Sequence, residues 1–317
     1  IKKLISPINY IYELNNVFDY FLKNKNFKCF FTYEIKMPEN LVFAYNMHKR
    51  KIPVFLVSHG SHTYQEDSFI KHESYLNSKG LLYSKFATKN FIQSPIAEEA
   101  INRYFPNKLN YEKTLPITWS FNKDFKNNNN NFTILHAGTV KPSSVRPILY
   151  ENTRDYISNL DLIINNVILL NKKFNVKLIV RARNLPGCSF TFLKNILQKH
   201  ENVVIKNNGN FLDDLKSCNL LISYSSTTIE EALNSRIPVL LLDKKNNYKH
   251  ILSSSLEPPT LKKRSAIYFA NQNNISPLLE SIIDYHSKPL SDSELKNFIW
   301  VDKSQCKNFN DQILNTL

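Results

Sequence analysis

Residues 218–243, CNLLISYSSTTIEEALNSRIPVLLLD, carry the most regular pattern in the chain. The apolar run 220–223 has the length of a strand, residues 228–234 predict a helix, and residues 238–242 predict a second buried strand. A helix is the usual crossover between neighbouring parallel strands, so these three elements form a βαβ unit. The segment therefore predicts a parallel sheet that has helices packed on its faces.

The same alternation extends upstream of this segment. FTILHA predicts a strand, a long helix follows it, and KLIVR predicts the next strand. The pattern favours a five-stranded Rossmann-like domain in the second half of the chain. Its predicted strands are 132–137, 177–181, 202–205, 220–223 and 238–242, and its predicted helices are 153–171, 191–199, 212–217 and 228–234.

The first half has a shorter version of this pattern. FKCFFT at 27–32 predicts a strand, Pro38 opens a helix, and 53–58 predicts a second strand. A further strand at 91–94 precedes a helix at 95–103. The fold class we expect is α/β, with two Rossmann-like domains facing each other across a cleft, which is the usual place for a ligand.

Five consecutive asparagines at 127–131 predict the linker between the two domains, since such a tract has no apolar side chains to bury. This places the N-terminal domain at 1–126 and the C-terminal domain at 132–276. The segment 277–317 predicts a polar helical tail that packs back across both domains.

Composition limits the class of protein. The chain has 317 residues, a pI near 9.4 and 41 Lys and Arg against 27 Asp and Glu, a net charge of +14. This excess predicts an anionic partner, although low-GC codon usage is an equally good explanation for many surface lysines. The four cysteines have no paired spacing and favour a reducing, cytoplasmic compartment.

No apolar run approaches the ~20 residues of a membrane span, and no signal-peptide pattern follows Lys2 and Lys3. The chain begins at Ile1 rather than at Met, which favours a fragment of a longer protein. With only five glycines, the chain has no Gly-rich phosphate loop, so NTPase and dehydrogenase motifs are absent from the sequence.

Hydroxyl side chains follow the predicted strand 220–223, at the start of the next helix. Helix N-termini attract phosphate or carboxylate, and an acidic side chain in the first turn can accept hydrogen bonds from ribose hydroxyls. A capping box, Thr227 with Glu230 or Thr228 with Glu231, is the structural alternative. The candidate residues here are Ser225, Ser226, Thr227, Thr228, Glu230 and Glu231.

Cationic side chains and a glycine follow the strands 132–137 and 177–181. Guanidinium groups at strand ends point toward the ligand crevice and can bind phosphate, although each could equally be a surface arginine. The candidate residues for the donor are Gly138, Thr139, Lys141, Arg146, Arg181 and Arg183.

His59 follows the predicted strand 53–58 and precedes one of the few glycines. An imidazole at a strand end can serve as a general base or donate to a phosphate or an acceptor, although a lone histidine is more often structural. Glu34, after the first strand, is a second candidate acid or base. Gly60, Ser61 and His62 are the candidate residues on the acceptor side.

Three segments resemble known enzymes. SSTTIEEALNSRIPVLLLD resembles the donor-site segment of GT-B glycosyltransferases. KRKIPVFLVSHGSHTYQED is similar to the N-terminal domain of bacterial surface-polysaccharide transferases, which include polysialyl-, Kdo- and glycerophosphate-transferring families. The run from HAGT through YENTRDYISNLDLII to KLIVRARN is similar to the start of their C-terminal domain.

The resemblance implies a cytoplasmic glycosyltransferase of GT-B architecture. It would transfer a sugar from a CMP-, UDP-, GDP- or CDP-linked donor to a surface-glycan or lipid-linked acceptor, with no metal and no further cofactor. The nucleotide would bind the C-terminal domain, and His59 would act on the acceptor. Basic stretches at 48–51 and 262–264 would hold the enzyme on the anionic inner face of the membrane.

Two alternatives remain open. A nucleotide-sugar 2-epimerase shares the two-domain architecture. A basic nucleic-acid-binding protein would explain the net charge, but the basic residues are dispersed and match no binding motif, so no nucleic acid is expected.

Overall fold

The chain folds into two compact α/β units. The computed structural model describes residues 2–107, 110–119, 121, 131–138, 140, 146–182, 185, 187–245 and 248–317. Unit 1 comprises Ile1–Thr118 and Trp300–Leu317, and unit 2 comprises Trp119–Ile299. Each unit contains one parallel sheet with helices between its strands, so the predicted α/β fold with two Rossmann-like domains is confirmed.

Unit 1 has a four-stranded sheet with the order β1-β2-β3-β4. Its apolar core lies on the sheet faces, where Leu56 of the second strand packs with Ala44 and Met47 of the second helix. The elements before the second unit are α1 (Lys2–Asn24), β1 (Phe30–Thr32), α2 (Pro38–Lys49), β2 (Val54–Val57), α3 (Ser68–Ser78), β3 (Lys89–Ile92), α4 (Pro95–Tyr104) and β4 (Tyr111–Lys113).

Unit 2 has a six-stranded parallel sheet with the order β10-β9-β8-β5-β6-β7. Counted from the first strand of the unit, this is the Rossmann order, and the direction of winding reverses between β5 and β8. Its elements are β5 (Phe132–Ala137), α5 (Thr153–Leu170), β6 (Val176–Arg181), α6 (Phe190–Leu197), β7 (Val203–Lys206), α7 (Phe211–Lys216), β8 (Leu220–Ser223), α8 (Thr228–Asn234), β9 (Val239–Leu242), β10 (Ile267–Ala270), α9 (Ile275–Tyr285) and α10 (Asp292–Leu295).

The core of unit 2 holds this sheet rigidly. Leu160 and Ile163 of α5 and Leu279 of α9 are fully buried against Leu178 and Ile222 of the strands. Each buried side chain of this size stabilises the fold by about 1.5–3 kcal/mol. The loops at the carboxyl ends of the strands therefore project from a fixed edge, which is where ligands bind in such sheets.

The C-terminal segment returns to unit 1. A short 3-10 helix (Lys303–Gln305) is followed by α11 (Phe309–Leu314). The Phe309 ring lies 4.9 Å from that of Phe91 in β3. Of the predicted tail, residues 277–299 thus belong to unit 2 and residues 300–317 to unit 1.

The predicted linker 127–131 lies outside the described residues apart from Asn131, so the predicted domain limits stay a prediction.

Several elements differ from the sequence-based expectation. The prediction of five strands in the second half is wrong, because β10 adds a sixth. Helix α9 begins at Ile275 and is not polar, since its residues Leu278, Leu279 and Ile282 are buried in the core. Helices α1 and α3 and strand β4 are also absent from the sequence-based prediction.

Candidate functional site

A pocket of about 390 Å³ lies at the carboxyl edge of the unit 2 sheet, beside the point where the strand order reverses. The ends of β5, β6 and β8 contribute to its wall. We call it the β5–β8 pocket. Its lining residues are Ala137, Gly138, Arg181, Ala182, Asn207, Phe211, Ser226, Thr227, Thr228 and Glu231.

Six of the predicted donor residues lie together in this pocket. They are Gly138, Arg181, Ser226, Thr227, Thr228 and Glu231. The sequence pattern could place them together because the carboxyl ends of parallel strands meet at one edge of a sheet. Their roles toward a ligand stay a prediction.

Arg181 enters the pocket already held by unit 2. One guanidinium nitrogen binds the Asp214 carboxylate, and another donates to the Gly209 carbonyl over 2.8 Å. Lys206 binds the second oxygen of Asp214. Two cations thus share one buried carboxylate, which leaves a net positive charge beside the pocket and fixes the arginine in place.

A hydrogen bond holds the turn of hydroxyl residues after β8 against the end of β5. The Thr228 hydroxyl donates to the Ala137 carbonyl at the end of β5 over 3.3 Å, which ties the two strand ends together. Thr227 is the N-cap residue of α8, and its side chain makes no capping hydrogen bond. The Thr227–Glu230 capping box is therefore not formed, and Ser226 and Thr227 are half-buried in the pocket wall.

The structure separates the two adjacent glutamates. Glu231 is half-buried and lines the pocket, whereas Glu230 is 4% exposed and does not line it. Successive helical residues point about 100° apart, so only one of the two can face a given ligand. Of this pair, Glu231 is the candidate acceptor for ribose hydroxyls.

Two further predicted donor residues, Ser225 and Arg146, are not among the described lining residues of this pocket. Ser225 is buried. Arg146 is half-buried, and its charge counteracts the rise in the pKa of Tyr224 that burial causes, so it lies near the residue that follows β8. Thr139, Lys141 and Arg183 lie outside the described residues.

Neither a close contact with a described residue nor a positive φ requires a glycine at position 138. Of the described residues outside its chain neighbours, a Cβ atom there would meet the Ser223 hydroxyl alone, at an ordinary 3.6 Å. The small residue thus leaves space at the junction of β5 and β8, where the backbone can approach a ligand closely.

Two further residues that the sequence pattern does not predict, Asn207 and Phe211, contribute to the pocket wall. Asn207 directly follows β7, so the strand-end rule used for the other strands could have found it. Phe211 begins α7, and its ring lies 6.0 Å from the Arg181 guanidinium. No sequence signal distinguishes this phenylalanine from a core residue.

The candidates in unit 1 lie at the carboxyl edge of its own sheet. His59 is exposed after β2, and its ring lies 5.3 Å from that of Tyr33, which follows β1. The half-buried Glu34 is in the same loop as Tyr33, and its backbone amide donates to the Thr32 hydroxyl over 3.1 Å. His59 and Glu34 thus follow adjacent parallel strands.

The residues after His59 are held more firmly. Gly60 and Ser61 are buried, and the Ser61 hydroxyl lies 2.9 Å from that of Ser94 at the start of α4. His62 has a backbone φ of 45°, a left-handed conformation that is unusual for a residue other than glycine. The catalytic roles of His59 and Glu34 stay a prediction, as do the acceptor roles of Gly60, Ser61 and His62.

The predicted basic stretch 262–264 is largely committed to contacts within unit 2. Arg264 binds Glu294 through two nitrogens, each at 2.9 Å, and Lys263 binds Glu257 at 2.7 Å. In the stretch 48–51, Arg50 binds Asp19 of α1. Among the described residues, no helix has both the length and the apolar character needed to cross a membrane.

Within the described part of the chain, no cluster of three or more His, Cys, Asp and Glu side chains is arranged to hold a metal ion. The prediction of metal-independent chemistry stays a prediction.

No family model matches the chain, and no curated protein matches it in sequence. Solved structures are similar in fold. Methanocaldococcus jannaschii UDP-GlcNAc 2-epimerase, in complex with UDP-GlcNAc and UDP, has a TM-score of 0.57 and 16% identity over 95% of this chain and 79% of its own.

Two further structures extend this likeness. Neisseria meningitidis UDP-GlcNAc 2-epimerase, bound to UDP-GlcNAc, has a TM-score of 0.56 and 14% identity over 98% of this chain and 80% of its own. The glycotransferase of kitacinnamycin has a TM-score of 0.55 and 10% identity over 99% of this chain and 83% of its own. At such identities the likeness concerns the fold, which is the two-domain GT-B type shared by epimerases and glycosyltransferases.

Proposed function

We propose that the protein is a glycosyltransferase that takes a sugar from a nucleotide-linked donor and transfers it to a surface-glycan or lipid-linked acceptor. The observation that carries the proposal is the β5–β8 pocket, which joins a fixed arginine, three hydroxyl residues and a glutamate at the switch point of a Rossmann sheet.

Each group in the pocket suits one part of a nucleotide. The net positive charge of the Arg181, Lys206 and Asp214 cluster favours phosphate, and the hydroxyls of Ser226 and Thr227 can donate to phosphate oxygens. Glu231 would accept hydrogen bonds from ribose hydroxyls. The charge that develops on the leaving nucleotide would then be stabilised by side chains and not by a metal ion.

The acceptor would be activated by unit 1. His59 is exposed at a strand end and is the proposed general base, with Glu34 as a second candidate in the adjacent loop. Glycan acceptors on a membrane surface and attachment to that surface belong to the same proposal.

Nucleotide binding is the first test. Thermal unfolding would be followed with CMP, UDP, GDP and CDP and with a sugar conjugate of each. We expect the melting temperature to rise with ligand concentration for at least one series, because a ligand that binds only the folded state stabilises it. The absence of any shift across the panel would overturn the proposal.

A nucleotide-sugar 2-epimerase is the second candidate, because two of the similar structures are UDP-GlcNAc 2-epimerases with bound UDP-GlcNAc. The two activities differ in their products. Proton NMR of UDP-GlcNAc incubated with the protein alone would show a second UDP-N-acetylhexosamine if the protein is an epimerase. A transferase would leave the sugar unchanged until an acceptor is added and would then release the free nucleotide.

A further inference from the structure

A second and larger pocket, of about 570 Å³, lies on the α5 side of the same sheet. It is formed by the segment that leads into α5 and by the loop that follows β9. We call it the α5 pocket. Its lining residues are Ile148, Leu149, Tyr150, Glu151, Asn152, Arg154, Asp155, Ser158, Asn159, Tyr224, Asp243, Lys244, Lys245 and Gln272.

The charged side chains of the α5 pocket neutralise one another. Three are cations, Arg154, Lys244 and Lys245, and three are carboxylates, Glu151, Asp155 and Asp243. Lys245 binds Asp155 at 2.7 Å, and Lys244 donates to Ser158 at 2.7 Å. The charges of the described lining residues of the α5 pocket therefore balance.

Asp243 holds the loop that follows β9. Its carboxylate accepts from the backbone amides of Lys245 and Tyr248 at 3.0 and 2.8 Å. These bonds fold the loop after β9 back over the strand end, where it forms one wall.

Glu151 lies at the floor with only 6% of its surface exposed. The Asn159 side-chain amide donates to one of its oxygens over 3.0 Å and so fixes its orientation. Carboxylate oxygens and an amide are the groups that read sugar hydroxyls, since each hydroxyl both donates and accepts a hydrogen bond.

The two pockets share no described lining residue, but a small cavity at the switch point borders both. A cavity of about 10 Å³ shares Gly138 with the β5–β8 pocket, and shares Glu151, Asn159 and Tyr224 with the α5 pocket. Its wall also carries His136 Nδ1 and the Ser223 hydroxyl, which are buried and make no hydrogen bond to the described residues. Buried polar atoms of this kind are normally satisfied by a water or a ligand group.

We propose that the α5 pocket binds the sugar of the donor, that this sugar is uncharged, and that Glu151 reads its hydroxyls. This inference rests on the proposed function, because it places the nucleotide in the β5–β8 pocket and its sugar across Gly138. A neutral hexose or N-acetylhexosamine fits the balanced lining. An acidic sugar would bring its carboxylate toward the buried Glu151, and like charges at that distance repel.

The test compares Glu151→Gln with the unaltered protein by isothermal titration calorimetry. The probes are UDP, GDP and CDP, the conjugates UDP-glucose, UDP-GlcNAc, GDP-mannose and CDP-glucose, and the acidic donor CMP-N-acetylneuraminate. Glu201→Gln, which alters an exposed carboxylate elsewhere in unit 2, is the matched control.

We expect Glu151→Gln to weaken binding of the neutral-sugar conjugate about tenfold, the effect of losing one hydrogen bond to a charged group. Affinity for the free nucleoside diphosphate should stay within twofold, and the melting temperature should show that the variant is folded.

Each failure has its own meaning. If the unaltered protein binds none of the probes, the proposed function is overturned together with this inference. If it binds nucleotides but no neutral conjugate, or binds only the acidic donor, the uncharged sugar is overturned and the proposed function stands. If Glu151→Gln leaves conjugate binding unchanged, or weakens the free nucleotide equally, the role of Glu151 is overturned.

Discussion

Arg181 is the residue on which nucleotide binding should depend most directly. Its guanidinium lines the β5–β8 pocket while it binds Asp214 and the Gly209 carbonyl. Arg181→Gln should weaken binding of the nucleotide about tenfold, since a charged hydrogen bond to phosphate is lost. Calorimetry or a fluorescence titration would measure the change in dissociation constant.

Lys206→Gln supplies the control for Arg181. Lys206 binds the same carboxylate and contributes to the net positive charge of the cluster, but it is not among the described lining residues of the pocket, so Lys206→Gln should weaken the nucleotide less than Arg181→Gln does. If both variants weaken the nucleotide equally, the effect comes from the lost charge of the cluster, and a direct contact between Arg181 and phosphate is wrong.

His136 gives a prediction about pH. Burial lowers its pKa from 6.5 to about 4, so the folded protein keeps the imidazole neutral where the unfolded chain is protonated. As pH falls from 6.5 toward 4, the unfolded state binds the additional proton. This residue's contribution to the unfolding free energy should therefore fall by about 1.4 kcal/mol per pH unit.

Urea unfolding at pH 7 and pH 5 checks this. Between the two values, His136→Gln should lose about 2 kcal/mol less stability than the unaltered protein. Burial and the charge of Arg264 lower the pKa of His286 to about 4. This histidine remains in the variant, so part of the dependence of stability on pH should persist. His72→Gln, which removes an exposed histidine, is the control, and an equal slope in all three proteins would contradict the prediction.

At the scale of elements, the sequence predicts the strands that follow sharp local patterns and misses those that depend on distant partners. FTILHA coincides with β5, because it is a short apolar run between polar segments. Residues 228–234 coincide with α8, because hydroxyl residues mark where the helix begins. Strand β10 was missed because a long irregular segment separates it from β9, and only pairing with β9 identifies IYFA as a strand.

The candidate site follows the same division. Gly138, Arg181 and the turn after β8 were predictable because strand ends share one edge. The choice of Glu231 over Glu230 depends on the rotation of α8 against the sheet, which spacing alone does not give. Phe211 and Glu151 were not predictable, since each joins its pocket only through tertiary packing.

Gly80 tests the turn between α3 and β3 in unit 1. Its φ is +90°, and a Cβ atom would lie 3.0 Å from the Lys36 nitrogen and 3.1 Å from the Ile35 carbonyl carbon. Gly80→Ala should lower the free energy of unfolding by about 3 kcal/mol, because backbone strain and a clash with backbone atoms add.

Gly187→Ala separates the two causes for Gly80. Its φ is +71°, but no described heavy atom lies within 4 Å of the added Cβ, so only backbone strain of about 1 kcal/mol should result. Both values come from urea titration curves. Equal losses would show that the close approach of the Lys36 backbone is relieved by a small shift of the loop.

For the whole molecule, several of the arginines that contribute to the net charge of +14 are paired with carboxylates. Arg181, Arg236 and Arg264 are each bound by a carboxylate of unit 2, and Arg50 is bound by Asp19 in unit 1. Composition therefore predicts an anionic ligand only in the few places where cations outnumber their partners. The Arg181 and Lys206 pair around Asp214 is such a place.

His59 tests whether the two units divide the reaction as proposed. His59→Ala should reduce kcat at least about a hundredfold, because the proposed general base is lost and a group of this kind usually contributes that much. The dissociation constant of the nucleotide should stay the same, because the described lining residues of the β5–β8 pocket all belong to unit 2. His72→Ala removes an exposed histidine from α3 and should change neither quantity. Steady-state turnover and calorimetry would be measured on the same preparations. An unchanged kcat would exclude His59 as the base. A loss of nucleotide affinity that matches the loss of kcat would mean that His59 contacts the donor and not the acceptor.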